Sequence, residues 1–183
     1  DILITGTNTY ASPQETVFQI YKGTGFGVFT KLPDTGISGV NNGSIQVADF
    51  NGDGRKDILV NGNASQPITK IYFQQTDGSF IDSEQELIVF FYSATKVFDA
   101  NGDGYQDVLI TGFNAGAIQT KLYINSGLGE FTEMASGLPN VYFSSIDAGD
   151  FNNDGHIDLL ISGMDMTPTY TLGIFLNDGQ GQF

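Results

Sequence analysis

The chain has 183 residues, 40% of them hydrophobic and only 15% charged, which is enough apolar mass for a core and argues against disorder. Its formal charge of −14, with seven Lys and Arg in all, leaves few groups to neutralise phosphates, so nucleic acid is not an expected partner. The absence of Cys excludes disulfides, thiolate metal sites and a Cys nucleophile.

No stretch approaches the roughly 20 apolar residues of a membrane span, and no basic-then-apolar leader is present, so membrane insertion is not expected. A start at Asp1 without Met is expected of a processed product or of a portion of something longer.

The first element, Asp1-Ile2-Leu3-Ile4-Thr5-Gly6, sets a motif that recurs. It returns at Asp57-Ile58-Leu59-Val60-Asn61-Gly62, Asp107-Val108-Leu109-Ile110-Thr111-Gly112 and Asp158-Leu159-Leu160-Ile161-Ser162-Gly163. A second run follows each copy: Gln19-Ile20-Tyr21, Lys70-Ile71-Tyr72, Lys121-Leu122-Tyr123 and Gly173-Ile174-Phe175. Each leads into a Gly-containing turn ending at Phe29, Phe80, Phe131 or Phe183. A third run, Ser44–Ala48, Ala94–Phe98 and Ser144–Ala148, precedes the later copies. A less regular fourth is expected at Thr30–Leu32, Ile81–Leu87 and Thr132–Met134.

These runs are short, rich in aliphatic and aromatic residues and bounded by Gly, Asn and Asp, so they read as strands. Four short antiparallel strands recurring every ~50 residues predict an all-β fold of β-propeller blades. The expected division is a partial blade at 1–38, blades at 39–88 and 89–139, and a partial blade at 140–183. Blades incomplete at both ends belong to a slice of a larger ring or to a unit that another chain completes. Their open edges need covering, by a protein partner or by further copies of the chain.

Between the third run and each recurring motif lies a loop of one pattern, D-x-N-x-D-G-x-x-D, at 49–57, 99–107 and 150–158. Oxygen side chains at positions 1, 3, 5 and 9, with Gly at position 6 for the sharp turn, suit a hard cation taking six to eight oxygen ligands, and the inferred ion is Ca²⁺. Asp and Asn also make ordinary turns. A turn, however, needs no acid at three fixed positions, and three carboxylates within ~4 Å would repel by several kcal/mol at an effective dielectric near 20. An EF-hand is the nearest alternative, but position 12 is Val60, Ile110 or Ile161 and the flanks read as strands.

The pattern V-A-D-F-N-G-D-G-x-x-D-I-L-V-x-G at 47–62, followed by K-I-Y and x-D-G-S-F, resembles the FG-GAP or VCBS repeats of integrin α-subunit propellers and of many bacterial and protist surface proteins. The resemblance implies a Ca²⁺-stabilised propeller of secreted or cell-surface proteins, often adhesive, with about three ions here. The side-chain ligands it implies are Asp49, Asn51, Asp53 and Asp57; Asp99, Asn101, Asp103 and Asp107; and Asp150, Asn152, Asp154 and Asp158. Position-7 carbonyls would come from Arg55, Tyr105 and His156. Asp1 departs from the pattern, because the front half of its loop is missing from the sequence.

No catalytic constellation assembles around His156, the single histidine, so the expected function is a non-enzymatic extracellular adhesion or assembly module, filament-forming where the rotation between copies fails to close. A carbohydrate-binding lectin propeller and an accessory domain of a larger secreted enzyme are the alternatives. The recurring Tyr and Phe positions read as inter-blade core, with sugar stacking as the other reading. Phe90-Phe91-Tyr92 and Val141-Tyr142-Phe143 also read first as packing, with pore-lining and exposed binding aromatics as the other readings. Asn42-Gly43-Ser44 and Asn63-Ala64-Ser65 match the N-glycosylation acceptor pattern.

Overall fold

The computed structural model describes residues 1–10, 15–167 and 169–183. The described residues form strands and no helix, so none is long and apolar enough to cross a membrane as a helix. The first sheet contains β1 (Ile2–Asn8), β2 (Glu15–Gly23) and β3 (Phe29–Lys31), in that order. The second contains β4 (Asn41–Ala48), β5 (Asp57–Asn63), β6 (Pro67–Gln74) and β7 (Phe80–Asp82). The third repeats this plan with β8 (Phe91–Phe98), β9 (Asp107–Asn114), β10 (Ala117–Asn125) and β11 (Phe131–Met134). The fourth has β12 (Tyr142–Gly149), β13 (Asp158–Met164) and β14 (Tyr170–Phe175). All pairings are antiparallel, for example Val97↔Val108 and Val108↔Tyr123. These are propeller-type blades, and the first and last have three strands each.

The sheets stack on one another through their first strands, β4 against β8 and β8 against β12, so these are innermost. Three apolar seams result. Ile20, Val40, Val60 and Tyr72 fill the first; Phe50, Leu59, Phe90 and Ile110 the second; Leu109, Leu122, Val141 and Ile161 the third. This explains the continuous apolar character of β5 and β9, which are covered on both faces and buried from Asp57 to Gly62 and from Asp107 to Gly112. By contrast β14, with a neighbour on one face only, alternates exposed and half-buried residues.

The glycine that closes the recurring motif is fixed by close approach. A Cβ on Gly112 would lie 2.5 Å from the Cβ of Phe90, and one on Gly163 2.8 Å from that of Val141. Gly6 meets nothing, because among the described residues the first sheet has no innermost strand.

Two boundaries differ from the expectation. The innermost strands start about three residues early, each through a β-bulge, between Asn41 and Ser44, Phe91 and Ala94, and Tyr142 and Ser145. The outer strand expected to run to Leu87 stops at Asp82. Its last bond to β6 is Ser83 N–H to Ile71 O, after which the Asp82 carboxylate accepts from Glu84 N–H and Glu84 turns the chain away at φ 58°.

Candidate functional site

The three acidic loops lie at one end of the molecule, each joining an innermost strand to the strand beside it. They fold alike because the first Asp organises the backbone. Asp49 Oδ1 accepts from the N–H groups of Gly52 (2.8 Å) and Asp53 (3.2 Å), and Oδ2 from Gly54 (2.8 Å). Asp99 does the same with Gly102, Asp103 and Gly104, and Asp150 with Asp154 and Gly155. Position 3 adds an acceptor: Asn51, Asn101 and Asn152 take the N–H of Asp53, Asp103 and Asp154. Position 5 then accepts from the N–H of Arg55, Tyr105 and His156 at 2.8–2.9 Å.

Two residues per loop turn left-handed. Position 6 is Gly54, Gly104 or Gly155 at φ 84–90°. Position 4 is Gly52 or Gly102 in two loops and Asn153 at φ 60° in the third, the side chain best suited to that region after Gly.

The ninth residue behaves differently. Asp57, Asp107 and Asp158 are fully buried, whereas Asp53, Asp103 and Asp154 are exposed. Each ninth carboxylate joins the loop to its sheet. Asp107 accepts from Ala100 N–H and Asn125 N–H, both at 2.8 Å, and Asp57 and Asp158 make the matching pairs with Phe50 and Gln74 and with Phe151 and Asn177. In the first sheet, Asp1 makes the surviving half of this arrangement, accepting from Gly23 N–H at 2.9 Å and pairing with Lys22.

Burial pushes the Asp107 carboxyl up to about 6; Asp103 and Asp99 add their repulsion against the two N–H bonds. Asp57 is raised for the same reasons, burial first. Asp154 is held low by His156 N–H and by Asn152. Only the first of these loops contains Lys or Arg, and its Arg55 pairs with Asp53. Among the described residues no three His, Cys, Asp or Glu side chains are gathered into a cluster that would hold a metal by itself. Any coordination there would draw on Asn oxygens and main-chain carbonyls as well.

The Asp107 shift sets a testable pH dependence for the metal-free chain. The folded state binds this proton more tightly than the unfolded state, so stability falls as pH rises from about 4 to about 6, by on the order of 3 kcal/mol. Asp77 and Asp165, held low by Ser79 and Thr167, act in the opposite sense only as pH falls through the ordinary carboxylate range. Metal-free protein should therefore melt at a higher temperature at pH 5 than at pH 7.5; a lower melting temperature at pH 5 would contradict this.

The sequence did not reveal what ties each loop to the next blade. Asn125, buried in the third sheet, donates from Nδ2 to Phe50 O in the second-sheet loop (2.9 Å) and to Gln106 O (3.1 Å), and its Oδ1 accepts from Gly127 and Gly129 N–H. Asn177 repeats this with Ala100, Ile157, Gly179 and Gly181. The N-x-G-x-G spacing shared by 125–129 and 177–181 was the available signal. Position-7 side chains cover the same turns: the Tyr105 ring lies over Gly127, and the exposed His156 ring over Gly179.

Of the recurring aromatics, Tyr72 and Tyr123 are core residues whose hydroxyls accept from Ser38 and Ile88 N–H, so they offer no face to a sugar. Phe131 packs edge-on to Phe50 across one seam, and Phe183 to Phe98 across the next. Phe29, in the first sheet, is exposed. Phe90 and Val141 are buried as expected, but Phe91, Tyr92 and Phe143 are not. Of the two glycosylation patterns, Asn42 is exposed and Asn63 is partly buried.

A search of curated proteins finds no match. The family model described as FG-GAP-like repeat matches residues 1–60 and 99–161, covering all three acidic loops and more than half of the sequence. The chain belongs to the FG-GAP-like repeat family.

Proposed function

We propose that this chain is an extracellular or cell-surface propeller module that holds about three Ca²⁺ ions in its acidic loops and works in adhesion or self-assembly, without catalysis. The observation that carries the calcium reading is the donor chemistry of the loops. Each presents only hard oxygens, from Asp, Asn and main chain, around a buried carboxylate, and at Asp57 and Asp107 burial and then the neighbouring loop acids disfavour the charged form. Asp49, Asn51, Asp53 and Asp57, with the Arg55 carbonyl, would hold one ion. Asp99, Asn101, Asp103, Asp107 and Tyr105, and Asp150, Asn152, Asp154, Asp158 and His156, would hold the others. A bound ion supplies positive charge against three carboxylates; the chain itself supplies the backbone N–H groups that keep those carboxylates in the loop.

The assembly reading is supported by the outer face of the fourth sheet. Tyr170, Leu172, Ile174 and Leu176 are 79, 77, 54 and 51% exposed, whereas Ile118 and Leu122, on the equivalent strand β10, are 7 and 0% exposed beneath the next blade. A further blade of this kind, in a neighbouring copy or a longer chain, fits that face, and an arrangement of copies that fails to close gives a filament. Mass measurement in millimolar Ca²⁺ tests this. Concentration-dependent association that Leu172→Lys/Ile174→Lys abolishes is expected; a monomer at all concentrations would remove the assembly reading.

A further inference from the structure

At the end of the molecule opposite the acidic loops, the three β-bulges place one residue each in the left-handed region: Asn42 (φ 48°), Tyr92 (φ 51°) and Phe143 (φ 45°). The bulge belongs to the fold, and Asn42 shows which side chain suits it. Bulky aromatics at such a φ are outliers, and a strained residue that stability alone does not explain points to function. Nor is burial the explanation, because Tyr92 is 44% and Phe143 59% exposed. The rings adjoin: Tyr92 and Phe143 have centroids 4.4 Å apart at 35°, Phe143 and Tyr142 4.8 Å apart at 42°, and Phe113 lies 6.4 Å beyond Tyr142. The result is a faceted aromatic surface bridging the innermost strands of the third and fourth sheets.

Its surroundings narrow the class of ligand. In a chain of formal charge −14, the segments forming this end of the second and third sheets and of β12 (residues 36–48, 60–69, 88–95, 110–120 and 139–146) contain no Asp, Glu, Lys or Arg. They carry amides and hydroxyls instead. In the fourth sheet, the acid near this end, Asp165, is engaged by Thr167 and Thr169 N–H. Exposed rings beside neutral hydrogen-bonding groups suit the apolar C–H faces and hydroxyls of a sugar ring, and offer nothing to an anionic polymer.

We propose that Tyr92 and Phe143, with Tyr142 and Phe113, form a stacking site for neutral carbohydrate. The site is independent of the acidic loops and of the exposed fourth-sheet face. The experiment titrates the calcium-treated chain with cellohexaose, laminarihexaose, mannohexaose and chitohexaose, following tyrosine fluorescence and backbone amide shifts. At least one sugar should bind saturably, moving the amides of 91–94 and 142–145. Tyr92→Asn/Phe143→Asn places at both bulges the residue found in the second sheet, so it should melt at or above the parent temperature while affinity falls at least tenfold. Saturable binding that survives this double variant would overturn the proposal, as would the absence of binding by all four sugars. Self-association that the double variant abolishes, without sugar binding, would assign the rings to a protein contact and overturn it as well.

Discussion

Asn125→Ala is expected to cost about 3 kcal/mol of stability, more than most polar substitutions, because it orphans groups on two blades at once. The side chain is 1% exposed and makes four hydrogen bonds, one of them to the carbonyl of Phe50, 75 residues away. Removing it strands the Phe50 carbonyl and the N–H groups of Gly127 and Gly129 in a region closed by Phe50 and Phe131. Water has little access there. Gln74 occupies the equivalent place in the second sheet, as the partner of Asp57, and its side chain makes no hydrogen bond among the described residues, so Gln74→Ala should stay within about 0.5 kcal/mol of the parent. Urea unfolding of the two variants makes the comparison. Equal, small losses would show that the buried Asn does not join the blades.

The second large effect concerns calcium. With the ion at about 1 mM and sites of 10⁻⁴ to 10⁻³ M affinity, each site adds roughly 0.4 to 1.4 kcal/mol, so three together contribute about 1 to 4 kcal/mol. Chelator should therefore lower the melting temperature. Asp103→Ala removes an exposed carboxylate that in the metal-free loop accepts from Tyr105 N–H and Asn101, so its own packing loss is small. In this variant the calcium-dependent increment should fall by about one third while the chelated proteins melt nearly together. A variant that lowers both curves equally would mean that Asp103 serves the turn alone. Protons should compete with the ion: calcium's increment shrinks between pH 7.5 and 5, opposite in sign to the metal-free trend set by Asp107.

Most strands were legible because β5 and β9 are apolar runs held between sheets and β13 repeats their pattern, and the loops because their acids recur at fixed spacing. What escaped the sequence depends on partners far along the chain. Asn125 reads as a turn residue until Phe50 is placed beside it. The same holds across the other end of the seams, where Thr5 bonds to Val40, Asn61 to Ser93 and Thr111 to Ser144. Tyr92 and Phe143 read as core because aromatics at strand starts usually pack. The bulge turns them outward instead, a backbone event that no local pattern announced. Asn153 stands where the other loops have Gly, so the need for a left-handed residue at position 4 was hidden by its one exception.

The most direct test of the account is to strip the chain of metal, dialyse it against calcium, and count the bound ions while following the melting temperature. About three ions per chain, with a melting temperature that climbs as the sites fill and falls back in chelator, is the predicted result. No bound calcium at millimolar concentration, with a melting curve indifferent to chelator, would contradict it.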